Sequence, residues 1–311
     1  MSMNVHVVDQ ERKDQLRQLK KAKKWAAAKT FLRNPKALAG VIIFTFFILM
    51  AIFSPLLARY NPQATLFMPN QAPTAQHWLG TTSTGQDVFS QFVLGSRTTL
   101  MIGIGAGLLA TFLSLLVGVY AGFKGGLVDS LLTALTNIFL VMPVLALLIV
   151  IESYVRNSTP LLNGIIIGLT GWAWGARVFR SQTMTLINRD FVVAARLSGM
   201  SSLRIMVIEI IPNMLSIVFA NLMYACLGAI LAEAGLAYLG LESLSSTSWG
   251  TMLYWADAGG AMLNGAWWWI VPPGLAIALV GMSFALMNSA VDQMTNPRLR
   301  TTRRKVHAGK Q

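Results

Sequence analysis

Apolar runs separated by short polar stretches make up most of this chain. They occupy 38–57, 99–121, 127–151, 161–178, 214–236 and 267–286, each near the ~17–25 residues with which an α-helix crosses a bilayer. The pattern predicts six transmembrane helices in an all-α polytopic membrane protein. The charged residues inside the runs, Asp129, Arg177 and Glu233, fall toward run ends, where water is close. The fourth run, with its glycines, and the sixth, with Pro272, Pro273 and Gly274, are the least regular.

One stretch between the fourth and fifth runs departs from this pattern. Residues 190–212, DFVVAARLSGMSSLRIMVIEIIP, read as a compact helix-turn-helix. Asp190 can cap a short helix that runs through Arg196 and Leu197. Gly199 supplies a left-handed stop, and Ser201 or Ser202 can cap a second helix ending near Pro212. A membrane bundle has no packing need for such a unit, so it is expected to be a docking point for a soluble partner.

Composition agrees with a membrane protein: 54% of the 311 residues are hydrophobic and 12% charged, about half the charged share of a soluble domain. The net charge of +13 is read through topology before it is read as nucleic-acid binding, because Lys and Arg collect on the cytoplasmic side of helix ends. Ten lie in the tail 1–37, one is Lys124, five lie between Arg177 and Pro212, and six lie in the tail 291–311. Arg59, Arg97 and Arg156 fall in the loops that alternation puts outside. Both termini are thus expected to be cytoplasmic. The chain divides into a basic tail at 1–37, a first helix at 38–58 and an external loop at 59–98. A five-helix core follows at 99–290, and a second basic tail at 291–311 ends the chain. The first tail, with Trp25, Phe31 and Leu32, can lie on anionic lipid, and it is too long for a cleavable signal peptide, so the first span is expected to be permanent.

Catalytic and metal chemistry find no footing. Cys226 stands alone in the fifth run, and His6, His77 and His307 share no ligand spacing with other donors. Phosphate-loop, H-E-x-x-H and G-x-S-x-G patterns are missing from the sequence. Gly103/Gly107 and Gly118/Gly122/Gly126 fall instead at four-residue spacings, which let helix backbones approach closely in lipid. A chain with a docking element and no energy-converting chemistry needs a partner.

These strings together resemble the permease subunits of oligopeptide- and dipeptide-type ABC importers, specifically the second permease of the pair. The resemblance starts at Arg33-Asn34-Pro35 and Leu38-Ala39-Gly40. It continues through HWLGTTSTGQDVFSQFVLGSRTTL at 77–100, AGFKGGLVD at 121–129, Pro143 and the 190–212 unit. EAGLAYLGLE at 233–242, Ser248-Trp249-Gly250 with Met252-Leu253, and Pro272-Pro273-Gly274-Leu275-Ala276 complete it.

The resemblance implies the type I importer permease architecture and equates 190–212 with the EAA loop, whose short helices enter a cleft on an ATP-binding subunit. Ala194, Ala195, Gly199, Pro212 and Asn213 match that loop, and Val193 stands where it usually has Glu. With Asp190, Arg196, Ser201 and Arg204 these make up the expected coupling set, the two arginines facing acidic groups of the partner. The implied partners are a second homologous permease, two ATP-binding subunits that use ATP and Mg, and an extracytoplasmic substrate-binding protein. This chain itself would bind no cofactor, metal or nucleic acid and would hydrolyse nothing.

Other positions depart from the family toward neutrality: Thr82 for an acid, Gln86 for Arg and Asn137 for an acid. The solute is expected to be a dipeptide or oligopeptide, with oligosaccharides as the alternative. An ion-coupled secondary transporter would need intramembrane charge on interrupted helices, and these runs are nearly uncharged. Glu233, Asn137 and Trp249 are the candidates for the pathway or its gate, with a helix-end hydrogen bond as the simpler role for Glu233. The tryptophans at 249, 255 and 267–269 are expected to form an interfacial belt. Asp87, Ser90 and Arg97 are expected to cap and orient the second helix.

Overall fold

The computed structural model describes residues 34–155 and 159–295, the side chains of 292–295 excepted. Most of the two basic tails, the lipid-facing contacts expected of Trp25, Phe31 and Leu32, and Arg156 lie outside the described residues. Within them the only strand-like pairing is an isolated bridge between Thr81 and Asp87.

The main helices are α1 (Pro35–Ile52), α2 (Val88–Lys124), α3 (Gly126–Val141), α4 (Val144–Tyr154), α5 (Pro160–Thr170), α6 (Ala173–Leu186), α7 (Asp190–Leu197), α8 (Leu215–Tyr238), α9 (Trp249–Ala258) and α10 (Trp267–Thr295). Four of them, α1, α2, α8 and α10, are long and apolar enough to cross a membrane. The third expected span is bent by 87° between α3 and α4. The bend falls at Met142 and Pro143, where proline has no N–H to give and pushes its predecessor out of the helical region. If this pair is one span the count is five. The fourth expected span is also divided, into α5 and α6 at Gly171 and Trp172.

The loop between α1 and α2, expected to be external over 59–98, is shorter than that, because α2 starts at Val88. Asp87 caps it, Oδ2 accepting from the backbone N–H of Ser90 at 2.8 Å and from its hydroxyl at 2.7 Å. The other Asp87 oxygen lies 2.9 Å from Nδ1 of the buried His77, whose ring packs against both Tyr60 and Phe67. A carboxylate and a histidine thus clasp the loop to the start of α2.

With 37 residues, α2 is about 55 Å long, well beyond the ~30 Å hydrocarbon core. It is the spine against which α8 and α6 pack. A Cβ at Gly103 would overlap Ile230 and one at Gly107 would sit 2.5 Å from Cys226 Sγ, so α8 lies almost on the α2 backbone there. Farther along, Gly118 faces the Ala176 carbonyl and Phe179, and a Cβ at Gly122 would meet the Arg180 carbonyl at 2.7 Å, which seats α6. Gly126, expected in the same packing series, is instead the first residue of α3, at φ +58 with nothing within 4 Å. Buried polar contacts tie the same seams: Ser114 donates to the Trp172 carbonyl at 2.6 Å, and Asn221 donates to Thr111 at 3.3 Å.

Trp249 is not in an interfacial belt, and its contacts are those of a packed core residue. It is fully buried at the first position of α9, its indole N–H donating to the Phe92 carbonyl at 3.0 Å and its backbone N–H to Thr99 Oγ1 at 3.0 Å. Phe47 meets it edge-on at 5.5 Å and Phe92 stacks at 6.0 Å. A Ser248/Thr251 capping box starts α9 at this point. Trp268 and Trp269 are also buried, while Trp255 and Trp267 are exposed, so of these tryptophans only those two are open to solvent or lipid.

Two substitution series follow. Gly118→Ala forces the α2–α6 seam apart and is expected to cost about 1–3 kcal/mol. Gly105→Ala, where nothing lies within 4 Å, is expected to gain ~0.5–1 kcal/mol from helix propensity. Thermal melting of the purified protein in detergent reads both, and shifts of equal sign would refute the close-packing account. Trp249→Ala is expected to lose about 3–5 kcal/mol, as large-to-small core changes do. A Trp249→Ala protein with wild-type melting and altered transport would restore Trp249 as a gate.

Candidate functional site

The 190–213 unit sits where α2 and α6 end. Val192, Ala195, Ile205, Met206, Ile210 and Met214 form a buried cluster with Val119 of α2 and Phe179 of α6. These side chains recur three, four or five positions apart, which puts them on one face of each short helix. The first turn of the unit runs differently from expectation. Arg189 occupies the N-cap position of α7 and Asp190 the first helical one, with no side-chain cap hydrogen bond; the Asp190 carboxylate acts there only by facing the positive helix end.

Gly199 does what its position implied. At φ +74 it ends α7, with Met200 N–H donating to Ala195 O at 3.1 Å and Gly199 N–H to Arg196 O at 3.0 Å. That pair of bonds is the Schellman closure, which satisfies carbonyls the helix end would otherwise leave bare. Ser201 then stands at the N-cap of the second helix, though its side chain makes no capping bond. That helix runs as an α-turn at Ser202–Ile205, a π-helical stretch at Met206–Ile210 and a final turn at Ile211–Asn213 that contains Pro212.

What the reversal presents outward is an apolar tip. Leu197 is 85% and Leu203 69% exposed, with Val193 and Val207 beside them and Ala194, Arg196 and Arg204 around them. Large side chains so exposed at one point mark an interaction surface. The two alanines of the expected coupling set part company: Ala194 is on this outer face, while Ala195 is buried against the chain's own bundle. Arg196 lies over the Phe123 ring at 5.2 Å, an engagement with the end of α2 rather than a bare charge. Leu197 and Leu203 were missed as site residues because a lone leucine in a polar stretch carries no signal until the turn brings two together.

Beside the unit, α6 is bound to α3 by side chains. Arg180 Nη2 donates to Asp129 Oδ2 at 2.6 Å, and Arg177 Nη2 donates to Asn137 Oδ1 at 2.9 Å. Asn137 therefore lies in an α3–α6 clamp at the same end as the docking unit.

Glu233 is not at a watery helix end. It is 1% exposed, with Glu242, Ser248 and Thr99 as its electrostatic neighbours. None of the oxygens of Glu233 or Glu242 makes a hydrogen bond of ordinary geometry, so the simple helix-end bond expected of Glu233 is not formed. Glu242, in the link after α8, adjoins Asn163, Glu233 and Glu152, and burial pushes its carboxyl up to about 7. Neither Glu242 nor Glu152 stood out in the sequence, where they are far apart. Among the described residues no group of three His, Cys, Asp or Glu side chains could hold a metal ion.

Between α2, α5, α6 and α8 lies an apolar cavity of about 440 Å³, with Ala106, Gly171, Trp174, Asn221, Tyr224 and Gly228 on its wall. Its polar groups are uncharged, and its small residues leave room near the middle of the bundle.

Comparison with known proteins places this architecture. Residues 114–301 match the binding-protein-dependent transport system inner membrane component family, and residues 25–73 match the N-terminal transmembrane domain of oligopeptide transport permease C. The chain is 30% identical over 272 residues to the dipeptide transport system permease protein DppC of Bacillus subtilis, covering 86% of this chain and 83% of that protein. It is 31% identical over 274 residues to the oligopeptide transport system permease protein OppC of the same organism, covering 87% and 88%. With the DppC protein of Alkalihalophilus pseudofirmus it shares 33% identity over 282 residues, covering 88% and 90%. Matched over more than half its length, and joined to these relatives over most of it, the chain belongs to the family of binding-protein-dependent transport system inner membrane components.

Proposed function

We propose that this chain is the transmembrane permease subunit of an ATP-driven importer of dipeptides or oligopeptides. It would work beside a second homologous permease, two ATP-binding subunits and an extracytoplasmic substrate-binding protein. The family membership and the names of the relatives support the transport role and the solute class. The observation that carries the coupling role is the apolar tip of Leu197 and Leu203, held out by the Gly199 turn and anchored from behind on α2 and α6.

The mechanism is alternating access. ATP, with Mg, is bound and split by the partner subunits, and closure of those subunits moves the docking unit. The unit cannot move alone, because its inner face is packed on Val119 and Phe179 and α6 is clamped to α3 through Arg180 and Asp129. A displacement therefore passes to α3 and to α2 and α6, the last two of which line the mid-bundle cavity. The distribution of Lys and Arg supports a cytoplasmic position for both termini and for the docking unit, which leaves loop 58–87 and α9 on the side of the binding protein. Basic tail residues meet anionic lipid rather than nucleic acid.

The test is a pair of substitutions at one position. Gly199→Val must adopt a left-handed conformation that costs a β-branched residue ~1–3 kcal/mol, so the turn re-forms differently while the spans stay inserted. It is expected to abolish solute-stimulated ATP hydrolysis by the assembled complex. Gly199→Asn, which tolerates that conformation, is expected to keep most of the stimulation. Normal stimulation in the valine variant would end the coupling reading.

A further inference from the structure

At the end of the bundle opposite the docking unit lies a cavity of about 560 Å³, between loop 58–87, the link after α8, and α9. Small-ligand sites have volumes of roughly 300–1,000 Å³. The side chains that matter on its wall are Gln63, Gln86, Gln91, Ser83, Trp255 and Trp269, and no ionisable side chain lines it.

The three glutamines are held in place and still have bonding capacity to spare. Gln63 Nε2 donates to the Ser245 carbonyl at 2.7 Å, and Gln86 Nε2 donates to the Gln63 carbonyl at 3.3 Å. Gln91 Nε2 donates both to the Pro62 carbonyl at 3.0 Å and to Gln86 Oε1 at 2.7 Å. Each primary amide offers two N–H donors and a carbonyl acceptor. These bonds leave the side-chain carbonyls of Gln63 and Gln91, and one N–H each of Gln63 and Gln86, for something else. Trp255 is half-exposed, its ring fixed by a bond to the Leu244 carbonyl and by Tyr254 edge-on at 5.2 Å. Trp269 is 2% exposed, and its indole N–H has no acceptor among the described residues.

Donors and acceptors in balance, an aromatic face and no counter-ion together define what fits. A charged terminus would lose its water here and find no opposite charge. A secondary amide, with one donor and one acceptor, matches the glutamines group for group. We propose that this cavity is an entry subsite for the transported peptide, which it recognises by its uncharged main chain, with one peptide side chain laid on Trp255. The assignment rests on the peptide-importer reading above. It makes the permease a reader of the peptide's interior, indifferent to its termini.

The test uses the whole importer, with its binding protein, in proteoliposomes. A tripeptide is compared with its analogue N-methylated at the internal amides, the pair chosen to bind the binding protein equally. The wild-type importer is expected to take up the methylated analogue about five-fold more slowly, the worth of one hydrogen bond. In the Gln86→Ala/Gln91→Ala variant that discrimination is expected to vanish. Trp255→Ala is expected to raise KM for both peptides about five-fold, and Trp255→Phe to restore it, because stacking survives that change.

Discrimination that persists in the double variant overturns the subsite. So does a loss of uptake that follows a loss of binding-protein association, which would make the cavity a socket for that protein. Preference of the wild type for an oligosaccharide over either peptide overturns it too. If the wild-type importer takes up no peptide at all, the functional reading itself has failed and the subsite falls with it. If peptide uptake stands and the variants match wild type, only the subsite fails.

Discussion

Helices in hydrocarbon gain little by hiding apolar surface from one another, so what holds them is close backbone approach and a few buried polar contacts. Everything in this fold depends on how α2 meets that constraint. Its glycines at 103 and 107 let α8 lie against one stretch of backbone, and those at 118 and 122 let α6 lie against another. Side chains at these positions would move the neighbours outward, and the buried bonds from Ser114 to Trp172 and from Asn221 to Thr111 would open with them. Because α2 exceeds the thickness of the hydrocarbon core, the same rigid element also reaches the structures at both ends.

At one end α2 and α6 form the floor of the docking unit, and the division of that unit into an inner apolar face and an outer apolar tip follows from it. Residues such as Val192, Ala195 and Ile210 are consumed in holding the unit to the bundle, while Leu197, Leu203 and Val207 stay exposed among the described residues. One face of the unit is thus committed to the bundle and the other is open. The absence of the usual Glu at Val193 fits an interface held by shape and apolar area. At the other end α2 is closed by Trp249 and by the His77–Asp87 clasp. These rigidify the wall behind the neutral outer cavity. The buried Glu233 lies next to Thr99, Ser248 and Glu242 at the same end of the bundle.

Several elements were legible before any coordinates. Apolar runs located the long helices, though not both ends of each, the four-residue glycine spacing located the seams of α2, and Gly199 located the reversal between the two short helices. Each is a local property, set by the chain's own sterics or by the length of an apolar run. The bend at Pro143 was visible as a proline yet not as an 87° turn, because proline removes one bond and leaves the direction of the break to what packs on either side. The start of α2 at Val88 was missed because residues 88–98 carry enough polar groups to read as loop. They are helical because Asp87 caps them and Trp249 packs on them.

The sequence by itself determined that this is a helical membrane protein with a glycine-hinged helix-turn-helix between its fourth and fifth apolar runs, and its strings resemble those of the family to which it belongs. These conclusions need only composition, run length and backbone preference, which act within a few turns of chain. Only the tertiary structure decided which polar residues are structural and which are available. It placed Trp249 in the core, Asn137 in a bond with Arg177 and Ala195 against the bundle. It also gathered Gln63, Gln86 and Gln91 with Trp255 and Trp269 around one cavity. Those assignments depend on contacts between residues distant in the chain, and the free energy of such contacts is set by packing geometry that no local pattern encodes.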